Sequence, residues 1–154
     1  MTERQTDDGA GAEPAPVGIV VVSHSAPLAE ATAELVRQLA NVPADGPSIV
    51  PAGGIVGGEI GTDAARIADA VAAADRGAGV VVIVDLGSAV LSAQTALAAL
   101  AAPELAARTR ISAGPFVEGA FVAAVQAAAG DRLDGVLVAA EEAAAMRKIE
   151  GRAG

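Results

Sequence analysis

A chain of 154 residues with a formal net charge of −9 lacks the basic footprint that nucleic-acid phosphates or an anionic membrane surface require. It is 53% hydrophobic but 1% aromatic, with no cysteine, tryptophan or tyrosine. Alanine, valine and leucine must therefore build the core, and disulfides, thiolate nucleophiles and cysteine metal sites are excluded.

The length fits one domain, able to hide roughly 70% of its unfolded surface. Small side chains demand that helices and sheet approach closely. Residues 1–16, MTERQTDDGAGAEPAP, are acidic and lack the apolar segment of a secretory signal, so a disordered tail is expected there and a domain over 17–150. No apolar run reaches the ~20 residues of a membrane span. A soluble, cytoplasmic protein is the expectation, with neither nucleic acid nor membrane as partner.

VGIVVVS (17–23) has the β-branched, unbroken apolar character of a strand buried on both faces. LAEATAELVRQLA (28–40) reads as an amphipathic helix with Leu28, Ala31, Leu35, Val36 and Leu39 on its inner face. SIVPAGG (48–54) is a weaker strand, and Pro51 puts it at a sheet edge. The glycine-rich loop 53–61 follows, then a helix over 63–75 with Thr62 as its N-cap. GVVVIVDL (79–86) is the strongest strand signal, and a helix over 88–101 is stopped by Pro103. RISAGP (110–115) is a fourth short strand, before a helix over 117–130 closed by Gly130. The last segment keeps helical spacing over 132–148, with GVLVAA as a competing fifth strand and Asp131 as a candidate cap.

Strands alternating with helices predict an α/β fold: a doubly wound, mainly parallel sheet of about four strands in the order 2-1-3-4, with helices on both faces. Chemistry in such sheets gathers at the carboxyl ends of the strands beside the reversal of strand order. His24, the single histidine, follows strand one, and Asp85 ends strand three. The order therefore sets these two side chains face to face.

An imidazole beside a carboxylate serves as general base, metal ligand or nucleophile. A zinc site usually draws on several His or Cys ligands, which this chain lacks. No G-x-S-x-G turn supplies a serine nucleophile, and Ser23 and Ser25 adjoin His24 in sequence, unlike a triad. A nucleophilic histidine remains. For attack on phosphorus the ring must be neutral, with Asp85 holding one N–H and stabilising the charge that develops. Lys148 is the only lysine, so backbone N–H groups and hydroxyls must receive the phosphoryl oxygens. The turn at Ser25, the helix start at Gly61 and Thr62, and the helix start at Gly87 and Ser88 are the candidates.

VVVSHSAPLAEATAELVRQL, IGTDAARI, VVVIVDLGSAVLSAQTAL and ISAGPFVEGAFVAAVQAA follow one another as in the phosphotransferase-system enzyme IIA domains of the mannose type. The DLGSA segment resembles the branch that serves phosphoenolpyruvate-dependent dihydroxyacetone kinases. The resemblance covers roughly 17–145. It implies that His24 is phosphorylated on Nε2 with Asp85 on the other nitrogen. It also implies HPr as donor, ADP on the nucleotide-binding kinase subunit as acceptor, and a homodimer; no metal or other cofactor is expected.

Other readings stand beside this one. The same relay chemistry could pass phosphate to the enzyme IIB of a sugar transporter. A non-catalytic doubly wound regulatory module would leave His24 structural, Asp85 an N-cap, and Ser88 and Thr62 simple caps. The loop GGIVGGEIG lacks the lysine and register of a phosphate-binding loop and reads as a flexible loop. Glu118 is either a first-turn acid or a neighbour of the site, and Phe116 and Phe121 are core or interface residues.

Overall fold

β1 (Gly18–Ser23) is buried at every position, as its apolar run requires of a strand covered on both sides. In the computed structural model, which describes residues 14–151, it lies inside a four-stranded sheet of order β2-β1-β3-β4. The other strands are β2 (Ile49–Gly53), β3 (Val80–Val84) and β4 (Thr109–Ile111). All neighbours pair in parallel, with Ile19 opposite Ile49 and Val81, and Val82 opposite Ile111. Both the α/β class and the strand order 2-1-3-4 agree with the sequence. Residues 1–13 of the expected tail lie outside the described residues.

Side chains alternate across the pleat and meet different helices on the two faces. Ile19, Val21, Val81 and Ile83 pack with α1 (Ala26–Leu39), α5 (Phe116–Ala128) and α6 (Leu133–Glu142). Val20, Val22, Val80, Val82 and Val84 pack with α2 (Ala64–Ala74), α3 (Ser88–Ala98) and α4 (Pro103–Ala107). Small residues carry the helix contacts: α3 buries Ala89, Ala93 and Ala96, and α5 buries Gly119, Ala120, Ala123, Ala124 and Ala127. At Gly18 the approach is so close that a Cβ would overlap the backbone carbonyl of Ala74. Phe116 and Phe121 pack at the margin of the α1/α5/α6 core.

The inner face of α1 differs from expectation. Ala29, Thr32, Ala33 and Val36 are buried, while Leu28, Leu35 and Leu39 are 45%, 43% and 57% exposed. The leucines gave the stronger hydrophobic signal, but only the smaller residues fit against the sheet. Pro103 does not merely stop a helix. It occupies the first turn of α4, where its missing N–H costs nothing. Asp63, rather than Thr62, caps α2, its carboxylate accepting the N–H of Ala65 at 2.8 Å. β4 is shorter than the stretch 110–115, and the C-terminal segment is helical: α6 ends at Glu142 and a 3-10 turn follows over Ala143–Ala145. Asp131 makes no side-chain cap on α6. Instead Gly130, at φ +86°, and Asp131 donate to Ala127 and Gln126 to close α5 in a Schellman motif.

β2 is an edge strand, as Pro51 predicts. Its outer edge is blunted: Arg37 donates to the Ile49 carbonyl at 2.6 Å, Pro51 has no N–H, and Arg66 reaches the Gly53 carbonyl at 3.4 Å. Among the described residues, no helix is long and apolar enough to cross a membrane.

Candidate functional site

The β1–α1 turn and the β3–α3 turn meet at the carboxyl edge of the two central strands. Pairing of Val22 with Val84 brings the next residues of both strands side by side, and Asp85 N–H donates to the Val22 carbonyl at 3.0 Å. The predicted pair is present: His24 Nδ1 lies 2.9 Å from Asp85 Oδ1.

Asp85 meets four donors. Its Oδ2 accepts the Ser23 hydroxyl and the His24 backbone N–H, each at 2.9 Å. Its Oδ1 faces the imidazole and accepts the Leu86 N–H at 2.8 Å. Partial burial alone would raise the pKa of this carboxyl. The hydrogen bonds from the His24 backbone, the His24 ring and Ser23 outweigh that and hold it below the usual carboxylate range. An ionised carboxylate only accepts, so the proton of the neutral ring sits on Nδ1 and the lone pair on Nε2. On that side the Ser88 hydroxyl stands 2.9 Å away. The imidazole side chain is 23% exposed and that of Asp85 11%, so the ring is gripped from below and reachable from above.

The remaining expected site residues frame this pair. Ser25 N–H donates to Ser23 Oγ at 3.0 Å, and Ser25 Oγ caps α1 by accepting Leu28 N–H at 3.3 Å. Gly61, at φ +151°, donates its N–H to the His24 carbonyl at 2.9 Å. The Thr62 hydroxyl pairs with Ser92 at 2.6 Å, tying the loop before α2 to α3. The backbone N–H groups of Ser25 and Gly61 are thus already engaged. The Asp63 carboxylate covers the start of α2, which disfavours an anion there.

The β3–α3 turn is different. α3 has no side-chain cap, and the N–H groups of Gly87 and Ser88 meet no acceptor among the described residues. An uncapped helix start beside Nε2 offers donors to an anion. A crevice lined by Val84, Asp85, Leu86, Gly87, Val90 and Ser112 opens next to it. Among the described residues, no cluster of three His, Cys, Asp or Glu side chains is placed to hold a metal ion.

Sequence reasoning weighed Ser23 only as a triad nucleophile and did not single out Ser92. The one signal for Ser23 was a polar residue at the end of an otherwise apolar strand, and its burial is complete. Glu118, left undecided, forms an ion pair with Lys148 at 2.7 Å. The loop 53–61 is rooted at both ends on the histidine turn, Gly54 and Gly61 donating to the Ser23 and His24 carbonyls, and it leaves Val56 and Ile60 exposed. Leu86 and Leu91 are exposed on the opposite rim.

A model of the family described as the PTS system fructose IIA component matches residues 18–137. The phosphoryl donor subunit DhaM of a PEP-dependent dihydroxyacetone kinase from Escherichia coli is 44% identical over 113 residues, 72% of this chain and 23% of that protein. The chain therefore spans about a quarter of that relative's length. The phosphoryl donor subunit DhaM of PEP-dependent dihydroxyacetone kinase 2 from Listeria innocua is 40% identical over 111 residues, 72% of this chain and 86% of its own length. The crystal structure of a protein of unknown function, EF1359, superposes with a TM-score of 0.70 at 30% identity, covering 82% of this chain and 94% of that one. The matched region runs from β1 into α6 and includes both turns of the His24–Asp85 pair. The chain belongs to the mannose-type enzyme IIA family, the fructose IIA components of the phosphotransferase system.

Proposed function

We propose that residues 17–150 form a phosphotransfer domain in which His24 carries a phosphoryl group on Nε2 between HPr and a dihydroxyacetone kinase. The observation that carries this reading is the two-sided grip on the imidazole: Asp85 on Nδ1 and the Ser88 hydroxyl on Nε2. In the first step the Nε2 lone pair attacks the phosphorus of phosphorylated HPr. The Nε2–P bond forms as the donor's N–P bond breaks, and the bonding pair returns to the donor imidazole. Nδ1 keeps its proton, so the His24 ring becomes cationic, and the Asp85 carboxylate stabilises that charge.

The Ser88 hydroxyl leaves the lone pair and donates to the arriving group. The free N–H groups of Gly87 and Ser88 serve the remaining oxygens, while Ser25, Gly61 and Thr62 hold the surrounding turns. In the second step the phosphoryl passes to ADP on the nucleotide-binding kinase subunit, giving ATP and restoring the neutral ring. Fixed backbone donors without a cationic side chain suit a group that is held briefly and must leave. Such a relay needs no further cofactor and acts in the cytoplasm.

A homodimer fits the exposed row Leu28, Leu35 and Leu39 on α1, because apolar side chains aligned on one helix face gain by being covered.

The test mixes the chain with phosphoenolpyruvate, enzyme I and HPr. Acid-labile label on the wild type and none on His24→Gln supports the relay; no label on the wild type, or equal label on the variant, refutes it. Adding the kinase subunits, ADP and dihydroxyacetone then separates acceptors: dihydroxyacetone phosphate must form. Transfer to a sugar-transport enzyme IIB alone would assign the other branch.

A further inference from the structure

Behind the His24–Asp85 pair stands a buried hydroxyl that neither touches the imidazole nor faces solvent. Ser23 is the last residue of β1 and has no exposed surface. Its oxygen accepts the Ser25 N–H at 3.0 Å, which directs its own proton onto Asp85 Oδ2 at 2.9 Å. One hydroxyl has one proton, so this direction is forced: an ionised carboxylate cannot donate back.

We infer that Ser23 is a positioning residue for the relay, holding the Asp85 carboxylate in the rotation that keeps the His24 proton on Nδ1 and the lone pair on Nε2. The inference rests on the phosphoryl-relay reading for its functional consequence.

The physical case is one of constraint. The Asp85 carboxylate turns about its Cβ–Cγ bond, and its two oxygens have separate jobs. Oδ1 faces the ring and the Leu86 N–H. Oδ2 is held by the His24 backbone N–H and by Ser23. The three backbone and ring donors come from the two turns that flank the site. Only the Ser23 hydroxyl comes from inside the sheet, on a residue with no exposed surface. Ser23 also bonds the Ser25 N–H, and Ser25 caps α1. One buried atom thus sets the angle of the carboxylate and the shape of the turn carrying the imidazole. A hydrogen-bond chain of this kind, running one way from N–H through O–H to a carboxylate, strengthens along its length.

Removing the hydroxyl leaves Oδ2 with one donor and the Ser25 N–H with none. The carboxylate then swings, and Oδ1 no longer stands in line with Nδ1–H. The ring samples the tautomer that carries its proton on Nε2, which has no lone pair for phosphorus.

The experiment compares the full-length wild type, Ser23→Ala and Thr109→Val. Thr109 is a control of equal structural weight: its buried hydroxyl donates to the Leu105 carbonyl at 2.7 Å, in the strand's opposite end of the fold. Nitrogen-15 spectra of the unphosphorylated His24 ring report the tautomer without any partner protein. The wild type and Thr109→Val are expected to show the Nδ1–H form. Ser23→Ala is expected to show a mixture of tautomers, and an initial labelling rate from phosphorylated HPr about tenfold lower, the scale of one weak charge-assisted hydrogen bond.

A Ser23→Ala ring spectrum identical to wild type overturns the inference, as does an equal change in Thr109→Val. If the wild type takes no label yet Ser23→Ala alters the ring spectrum, the relay reading fails while control of the tautomer by Ser23 stands.

Discussion

Replacing Asp85 by Asn probes the site with almost no change of shape. Every group around the carboxylate donates: Ser23 Oγ and His24 N–H to Oδ2, Leu86 N–H and His24 Nδ1 to Oδ1. An asparagine must point its NH₂ at one of those pairs. Facing Ser23 and the His24 backbone, it strands an N–H that cannot turn away. Facing the ring, it strands only the exposed Leu86 N–H, which water can take up, and meets an imidazole that can adapt by shifting its proton to Nε2 and accepting on Nδ1. The second placement is therefore favoured, and it fixes the wrong tautomer. The developing positive charge also loses its counter-charge at 2.9 Å.

Wrong-tautomer substitutions of this kind cost on the order of 10⁴ in rate. A fall of about 10³ to 10⁴ in the initial rate of His24 phosphorylation is expected for Asp85→Asn, measured by quench-flow with labelled HPr. The Leu86 N–H that this placement strands is exposed and turns to water, so Tm is expected to fall by only a few degrees. Nitrogen-15 shifts of the ring must show the proton on Nε2. A variant that keeps the Nδ1–H tautomer and transfers at a wild-type rate refutes the assigned role of Asp85.

Two further outcomes follow from the fold. Asp75 takes Arg108 in a two-pronged ion pair, at 3.1 and 2.6 Å, and accepts the N–H groups of Gly77 and Gly79. Arg108 chiefly, aided by those N–H groups against partial burial, holds its pKa below the ordinary value. A carboxyl with a depressed folded pKa adds stability that is complete above the unfolded value near 4 and is lost as pH falls through the folded one. Asp75→Asn should lower Tm at pH 7 by several degrees and flatten its acid dependence below about pH 4, as followed by thermal melts; an unchanged acid limb contradicts this. Gly18→Ala would drive a methyl into the Ala74 carbonyl. Gly18 is fixed in the central strand β1 and Ala74 is buried at the end of α2, so a loss of about 1–3 kcal/mol in urea denaturation is expected, against no loss if α2 rides freely over β1.

The sheet and the central pair were legible because they rest on long, one-sided signals. β1 and β3 are unbroken β-branched runs, and in a doubly wound fold the ends of two such strands meet wherever the order reverses. His24 and Asp85 were placed by that argument alone. Misreadings arose where size or a neighbour decided. The leucines of α1 outweighed its alanines in hydrophobicity, yet a sheet of valines faced by a close helix has room for Ala29, Thr32, Ala33 and Val36 instead. Thr62 and Asp63 are both good caps, and the hydroxyl of Ser92, thirty residues away in sequence, drew Thr62 aside. Ser23 was hidden for a similar reason. Next to a histidine it reads as part of a polar turn, and only the sheet register shows that it is an interior residue bonded to a carboxylate just past the end of the neighbouring strand.

The central claim is chemical and local: one ring nitrogen, Nε2 of His24, carries the phosphoryl group. The most direct measurement is the phosphorus and nitrogen-15 NMR spectrum of the chain after phosphorylation by phosphoenolpyruvate, enzyme I and HPr, with the modified peptide sequenced by mass spectrometry. The account predicts a single phosphohistidine at position 24, coupled through Nε2, with Nδ1 still protonated against Asp85. Phosphate on Nδ1, on Ser88 or on any other residue would contradict it.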